Sequence, residues 1–116
     1  MTSGPRIHRF TVEVAASAQA QERGLMYRER LAPDRGMIFP FARPVEATFW
    51  MKNTLIPLDL IFIRADGTIA NIGANAVPMS TAIVAAEGPV TAVLEVAGGR
   101  AAELGIRAGD RVIWRR

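Results

Sequence analysis

The chain has 116 residues, of which 50% are hydrophobic and 22% are charged, with a formal net charge of +3 at pH 7. This length fits one domain that buries roughly two-thirds of its unfolded surface, and the composition is that of a globular protein. The absence of cysteine excludes disulfides, zinc–thiolate sites and cysteine nucleophiles. No apolar run approaches the ~18 residues of a membrane span, so we expect no transmembrane segment.

The length and the strand patterns described below predict a single β-rich domain over residues 7–116, preceded by a disordered segment over residues 1–6. The 14 basic residues are scattered along the chain, and no cluster is denser than Arg115–Arg116. A scattered pattern is typical of a solvated surface, so we expect no nucleic-acid binding. Lys52 is the only lysine, which indicates that its position favours a compact ammonium.

The first half of the chain contains three predicted elements. Apolar residues alternate over 7–15, which predicts a strand with one buried face. Residues 18–23 predict a short helix with Ser17 as its N-cap. The apolar run 37–39 predicts a buried strand that is stopped by Pro40.

The second half predicts more strands than helices. Asp66–Gly67 is typical of a tight hairpin turn between a central strand and its antiparallel neighbour. The predicted elements are strands over 47–52, 58–63, 68–72, 82–86, 90–96 and 111–114, and a helical turn over 101–104. The fold class is therefore mainly β (α+β): a single compact antiparallel β-barrel or sandwich of about seven short strands with two short helices.

The order and spacing of several short motifs resemble a known family. The motifs are Gly24-Leu-Met-Tyr-Arg28, Gly36-Met-Ile-Phe39, Phe49-Trp-Met-Lys-Asn-Thr54, Pro57-Leu-Asp59, Val93-Leu-Glu95, Gly105-Ile106 and Gly109-Asp110. This pattern is similar to the bacterial and archaeal family called domain of unknown function 192. The resemblance implies a compact β-rich domain with no established activity and no catalytic residues to carry over. It also implies a periplasmic or exported location, with a cytoplasmic location if no leader was removed.

The segment Phe49–Asp59 combines two aromatics, a lysine, an amide and a carboxylate between apolar flanks. Asp59 begins an apolar strand, and a buried carboxylate needs a partner. A structural interpretation has Asp59 hold the 53–57 turn through backbone N–H groups, or pair with Arg28. A functional interpretation has Asp59 converge with Lys52 and with the neighbouring Asn53 on a pocket that binds a polar ligand or exchanges a proton.

Phe49 and Trp50 are neighbours in a predicted strand, so their side chains point to opposite faces. Either both are buried against different layers, or one lines a surface. An exposed tryptophan beside polar groups is typical of a surface that stacks on a sugar or anchors a peptide.

Two further residue sets allow other chemistries. Glu95 either pairs with an arginine or joins Asp59 as the second carboxylate of a small hydrolase, in which Lys52 is the alternative partner. Thioethers suit Cu(I), although methionine more often fills gaps in a core, and the set here is Met26, Met37, Met51 and Met79. We predict no metal and no cofactor.

We therefore predict a small binding or accessory module of the cell envelope whose ligand is a glycan, a peptide or another small polar molecule. A small hydrolase and a purely structural interaction protein are the alternatives, and the oligomeric state is left open. The candidate ligand-binding residues are Arg28, Trp50, Lys52, Asn53, Asp59 and Glu95.

Overall fold

The computed structural model describes residues 6–114, and within them it contains seven strands and two short helices. The prediction of a mainly β fold with these numbers of elements is confirmed. Neither described helix is long and apolar enough to cross a membrane. The predicted disorder of residues 1–6 lies, apart from Arg6, outside the described residues. In chain order the elements are β1 (Thr11–Val14), α1 (Ala18–Arg23), β2 (Arg35–Val45), β3 (Thr48–Phe49), β4 (Leu58–Ile63), β5 (Ile69–Ala76), β6 (Val84–Ala85), β7 (Val90–Ala97) and α2 (Arg100–Leu104).

Five strands form the main sheet in the order β1-β2-β7-β4-β5, and β3 pairs with β6 in a separate two-stranded sheet. The central strand β4 is buried along its whole length, as its apolar sequence predicts. Most neighbours are antiparallel, but β1 and β2 are parallel, with Val12 opposite Gly36. The expectation of a wholly antiparallel sheet was wrong here, because the chain crosses back through α1 before it enters β2.

The main sheet has an apolar cluster on each face. Phe39, Leu60 and Val93 belong to the cluster on the face that β3, β6 and α1 cover. The opposite face carries Ile61 and Leu94, which pack against residues near both ends of the described chain. The described strands do not close into a barrel, and the layered arrangement fits the sandwich alternative.

Several predicted strand boundaries were wrong, including those of β1 and β5, which were predicted over 7–15 and 68–72. β2 continues beyond Pro40 to Val45, and its pairing with β7 shifts register between these two residues. A shift of this kind accommodates the proline, which has no N–H for the ladder. The strand predicted over 47–52 is reduced to β3, because the chain turns after Phe49. The predicted closing strand is a single bridge between Thr68 and Arg111.

The local turn and cap predictions were more accurate. The hairpin between β4 and β5 forms, and Asp66 Oδ1 accepts hydrogen bonds from Thr68 N at 2.9 Å and Thr68 Oγ1 at 2.6 Å. Ser17 caps α1, since its Oγ accepts a hydrogen bond from Ala20 N at 3.0 Å. Both features depend on residues close together in sequence, which is why a single sequence predicts them well.

Candidate functional site

A pocket of about 300 Å³ opens on the face of the main sheet that β3 and α1 cover. Its walls come from α1 and the turn after it, from β2, and from the segment between β2 and Thr54. Four aromatic side chains line it: Phe39, Phe41, Phe49 and Trp50. Ligand sites are typically concave and mostly apolar with a few polar groups, so this pocket is the candidate site.

Glu95 is the buried acidic group of this pocket. It lies on β7 opposite Leu60 of β4 and Met37 of β2, and it is only 5% exposed. Desolvation by burial raises the pKa of Glu95 to about 8. Within residues 6–114 no group hydrogen-bonds to its carboxyl oxygens, yet neither oxygen is sealed from the pocket. The arginine partner that the sequence favoured is therefore not formed in this part of the chain.

Phe49 and Trp50 both line the pocket and differ in burial. The Phe49 ring packs edge-on against Phe39, with 5.3 Å between ring centroids, and against Phe62 at 6.1 Å. Trp50 remains 46% exposed beside the pocket. Lys52 Nζ lies 5.2 Å from the centroid of the Trp50 ring, a cation–π contact that holds the lysine beside the indole.

Three loops meet beside Trp50 and are joined by backbone hydrogen bonds. Tyr27 N donates to Asn53 O at 2.8 Å, and Met79 N donates to Thr54 O at 2.9 Å. Tyr27, Asn53 and Met79 have φ values of 65°, 57° and 66°, which place all three in the left-handed region. Non-glycine residues with positive φ cost energy and concentrate at functional sites. Asn53 therefore contributes its backbone conformation and its carbonyl to this loop junction.

Asp59 has a different environment. Its carboxylate is fully buried and accepts hydrogen bonds from the backbone N–H groups of Asn75 at 2.8 Å, Gly99 at 3.0 Å and Ala101 at 2.8 Å. Gly99 is the N-cap of α2 and has no side chain that could accept a hydrogen bond from the helix. The Asp59 carboxylate on β4 therefore caps the N-terminus of α2. Neither the 53–57 turn nor Arg28 is its partner, which corrects both structural alternatives.

Arg28 forms an ion pair with Glu13 on β1. Arg28 Nη2 lies 2.8 Å from Glu13 Oε1, and Nη1 bonds the second carboxylate oxygen. The hydrogen bond from Arg28 holds the pKa of Glu13 below its usual range. Both side chains are partly exposed, so the pair attaches the loop after α1 to β1 and adds little stability.

The structure thus brings together some of the predicted site residues and separates others. Trp50 and Glu95 line one pocket, and Lys52 and Asn53 belong to the loop beside it. Asp59 and Arg28 are engaged elsewhere. Of the four methionines considered for Cu(I), Met26 and Met51 line the pocket, Met37 lies in the adjoining core, and Met79 is 53% exposed.

Sequence reasoning missed three pocket residues. Phe41 follows Phe39 at a spacing of two and shares its face, but the strand was predicted to end at Pro40. Gln21 lies on α1, and Thr54 is buried in the loop after Trp50. Only the phenylalanine spacing carried a local signal, because the other two reach the pocket through tertiary packing.

These features define a small protein with a mixed five-stranded sheet that carries an aromatic pocket with a buried acid. The family model DUF192, described as "Uncharacterized ACR", matches residues 1–114. The chain belongs to this family, which confirms the resemblance drawn from its motifs.

Two solved structures are similar to the chain. A Novosphingobium aromaticivorans protein of unknown function is 50% identical with a TM-score of 0.89, and the match covers 90% of this chain and 75% of that one. A proposed transcription regulator from Sinorhizobium meliloti is 49% identical with a TM-score of 0.85, over 88% of this chain and 79% of that one. No curated protein is significantly similar to the chain.

Proposed function

We propose that this domain is a binding module whose pocket takes a small, largely apolar molecule through a polar group that meets Glu95. The observation that carries the proposal is a carboxyl group, 5% exposed and without a described hydrogen-bond partner, in a pocket lined by aromatic rings. Since neither carboxyl oxygen is sealed from the pocket, a ligand there can reach Glu95 and hydrogen-bond to it. Such a bond is strong in a site walled by aromatic rings, because the local dielectric is low.

The size of the pocket favours a small molecule or one peptide side chain over a longer glycan. A volume of about 300 Å³ is at the lower end of the usual range for small-molecule sites. It accommodates a small molecule or one side chain of a peptide, and it is too small for several sugar rings. The half-exposed Trp50 ring beside the pocket adds a flat apolar surface for the outer part of such a ligand.

The alternatives receive less support. A hydrolase was expected to use Asp59 with Glu95 or Lys52, but the Asp59 carboxylate is occupied by three backbone N–H groups. A purely structural role gives no reason for an unpartnered acid in a pocket, since an apolar residue there would pack without a desolvation cost. We therefore propose binding as the function.

The family resemblance supports an envelope location as part of the proposal. Fractionation of cells that express the native gene should place the protein in the periplasmic or membrane-associated fraction. Recovery with the cytoplasmic markers would contradict this location and leave the pocket proposal intact.

The binding proposal is tested by a fragment screen monitored by NMR. The two tryptophans report separately: Trp50 lines the pocket, and Trp114 packs against the opposite face of the sheet. Fragments that bind should shift the Trp50 indole signal and the amides around Glu95 while Trp114 stays unchanged. A screen that moves neither, or that moves only Trp114, would overturn the proposal.

A further inference from the structure

We propose that the preferred ligand is an organic cation, an ammonium with apolar substituents, whose charged nitrogen meets Glu95 and whose substituents contact the aromatic rings. This inference rests on the proposed function, since it names the ligand class of the same pocket. It follows from which hydrogen-bonding groups of the pocket are already used and which are free.

Two side-chain donors of the pocket, Gln21 and Thr54, are engaged by backbone carbonyls. Gln21 Nε2 donates to Ala15 O at 2.9 Å and to Pro40 O at 2.8 Å. Both partners are acceptors, which fixes the orientation of the amide and leaves its oxygen as the free atom. Thr54 Oγ1 donates to Lys52 O at 3.3 Å. The Gln21 amide oxygen and the Glu95 carboxyl oxygens are therefore acceptors open to a ligand that donates hydrogen bonds.

The walls of the pocket also favour a cation. The faces of aromatic rings carry negative potential and attract ammonium groups, most strongly at tryptophan. The contact between Lys52 Nζ and the Trp50 ring, at 5.2 Å, shows that this indole already holds a cation on its surface. Rings together with a buried carboxylate form the usual environment for alkylammonium ligands.

The charges around Glu95 leave room for a ligand cation. Of the described residues that line the pocket, the other charged ones are Glu22 and Arg23, both of α1. The Arg23 guanidinium lies 6.0 Å from the centroid of the Tyr27 ring. Apart from Glu95, the sheet strands and the 47–54 segment contribute no charged side chain to the described lining. Burial is the described cause of the raised Glu95 pKa, with no contribution from a neighbouring charge, so an ammonium ligand would supply a charge partner that the described lining does not.

Binding of a cation should release a proton. Since burial raises the pKa of Glu95 to about 8, the carboxyl group of the empty pocket is largely protonated at neutral pH. An ammonium beside it favours the carboxylate, so the proton passes to the buffer as the ligand binds. A neutral ligand that accepts a hydrogen bond from the protonated acid would release none.

The test compares three probes of similar shape by isothermal titration calorimetry: phenylpropylamine, phenylpropanol and phenylpropanoate. We expect the amine to bind the wild-type protein about tenfold or more tightly than the alcohol, because a charged hydrogen bond replaces a neutral one. The anion should bind most weakly. At about pH 7, titrations in two buffers of different ionisation enthalpy should show proton release for the amine only.

Glu95→Gln is the diagnostic variant, and Glu87→Gln is its matched control at an exposed position outside the pocket lining. The first should reduce amine affinity about tenfold or more and leave alcohol affinity nearly unchanged, while the second should change both little. Equal affinity of the wild-type protein for amine and alcohol would overturn the cation inference and leave the binding proposal standing. The same conclusion would follow if the amine did not bind while other fragments shifted the Trp50 signal. The wild-type comparison does not depend on how either variant folds.

Discussion

The carboxyl groups of Asp59 and Glu95 point to opposite faces of the main sheet. Leu60 pairs with Glu95 across β4 and β7, and Asp59 pairs with Val96 one position along, so strand alternation separates the two acids. Asp59 accepts three backbone hydrogen bonds, whereas Glu95 has no described partner. The first acid therefore stabilises the fold, and the second is the group available to a ligand.

Asp59→Asn should destabilise the protein by about 3 kcal/mol, since hydrogen bonds to a charged group contribute about 1.5–3 kcal/mol each and the asparagine amide replaces one acceptor with a donor. Urea unfolding at neutral pH measures the loss. Hydrogen exchange should also become faster at Gly99 and Ala101, whose N–H groups lose the carboxylate. Asp66→Asn, at an exposed turn, is the control and should cost less. Equal losses for the two variants would contradict the role assigned to Asp59.

The partners of Asp59 show why the sequence could predict a buried, bonded carboxylate but not what it bonds. The donors lie 16, 40 and 42 residues further along the chain. Their meeting depends on the register of β4 with β5 and β7, which no local pattern encodes. The burial of Asp59 followed from its apolar strand alone, and so did the need for a partner.

Glu95 illustrates the same limit for the candidate site. The bounds of β7 were predicted nearly as observed. Which face of β7 lines the pocket depends on its pairing with β2 and β4, which no local pattern encodes. The predicted stop at Pro40 also hid Phe41, because in the structure this proline precedes a register shift and does not end the strand. By contrast, the Asp66 turn and the Ser17 cap depend on bonds spanning two or three residues, and both were predicted.

Glu95 should make stability fall as pH rises. Burial raises the pKa of Glu95 to about 8 from its ordinary value of 4.5, so between these values the folded state binds more protons than the unfolded state. The stabilising contribution is complete below the unfolded value and is lost as pH rises through the folded one. Urea unfolding at about pH 5 and about pH 9 should differ by a few kcal/mol, at about 1.4 kcal/mol per pKa unit.

Glu95→Gln should remove most of that difference, because an amide cannot titrate. The carboxylates of Glu13 and Asp66 do not interfere, since their pKa values are lowered by hydrogen bonds from Arg28 and Thr68 and they titrate below this window. Glu22→Gln, at the edge of the pocket, should keep the wild-type dependence. An unchanged slope in Glu95→Gln would mean that another group causes it.

Lys52→Met should change the free energy of unfolding by less than about 1 kcal/mol, because its described interaction is an exposed cation–π contact with Trp50. Urea unfolding followed by circular dichroism measures this without depending on the altered environment of the indole. A loss of about 2 kcal/mol or more would place Lys52 in a network that stabilises the fold. The size of the effect thus separates a surface role from a core role.

Asn53→Gly should be more stable than Asn53→Ala, because the backbone conformation at this position favours glycine. With φ at 57°, alanine is strained by about 1 kcal/mol, whereas glycine adopts this conformation freely. The neighbouring Lys52 is the control, because it is not among the residues with positive φ. At Lys52 the glycine variant should be less stable than the alanine variant. Thermal and urea unfolding of the four variants give both comparisons.

The same variants separate the two roles considered for Asn53. If its backbone conformation and carbonyl are what hold the loop beside Trp50, then Asn53→Gly keeps both and should bind pocket ligands as the wild-type protein does. A variant that is as stable as wild type but binds more weakly would instead assign the Asn53 amide to the ligand. Stability and affinity measured on one protein therefore decide whether Asn53 shapes the site or contacts what occupies it.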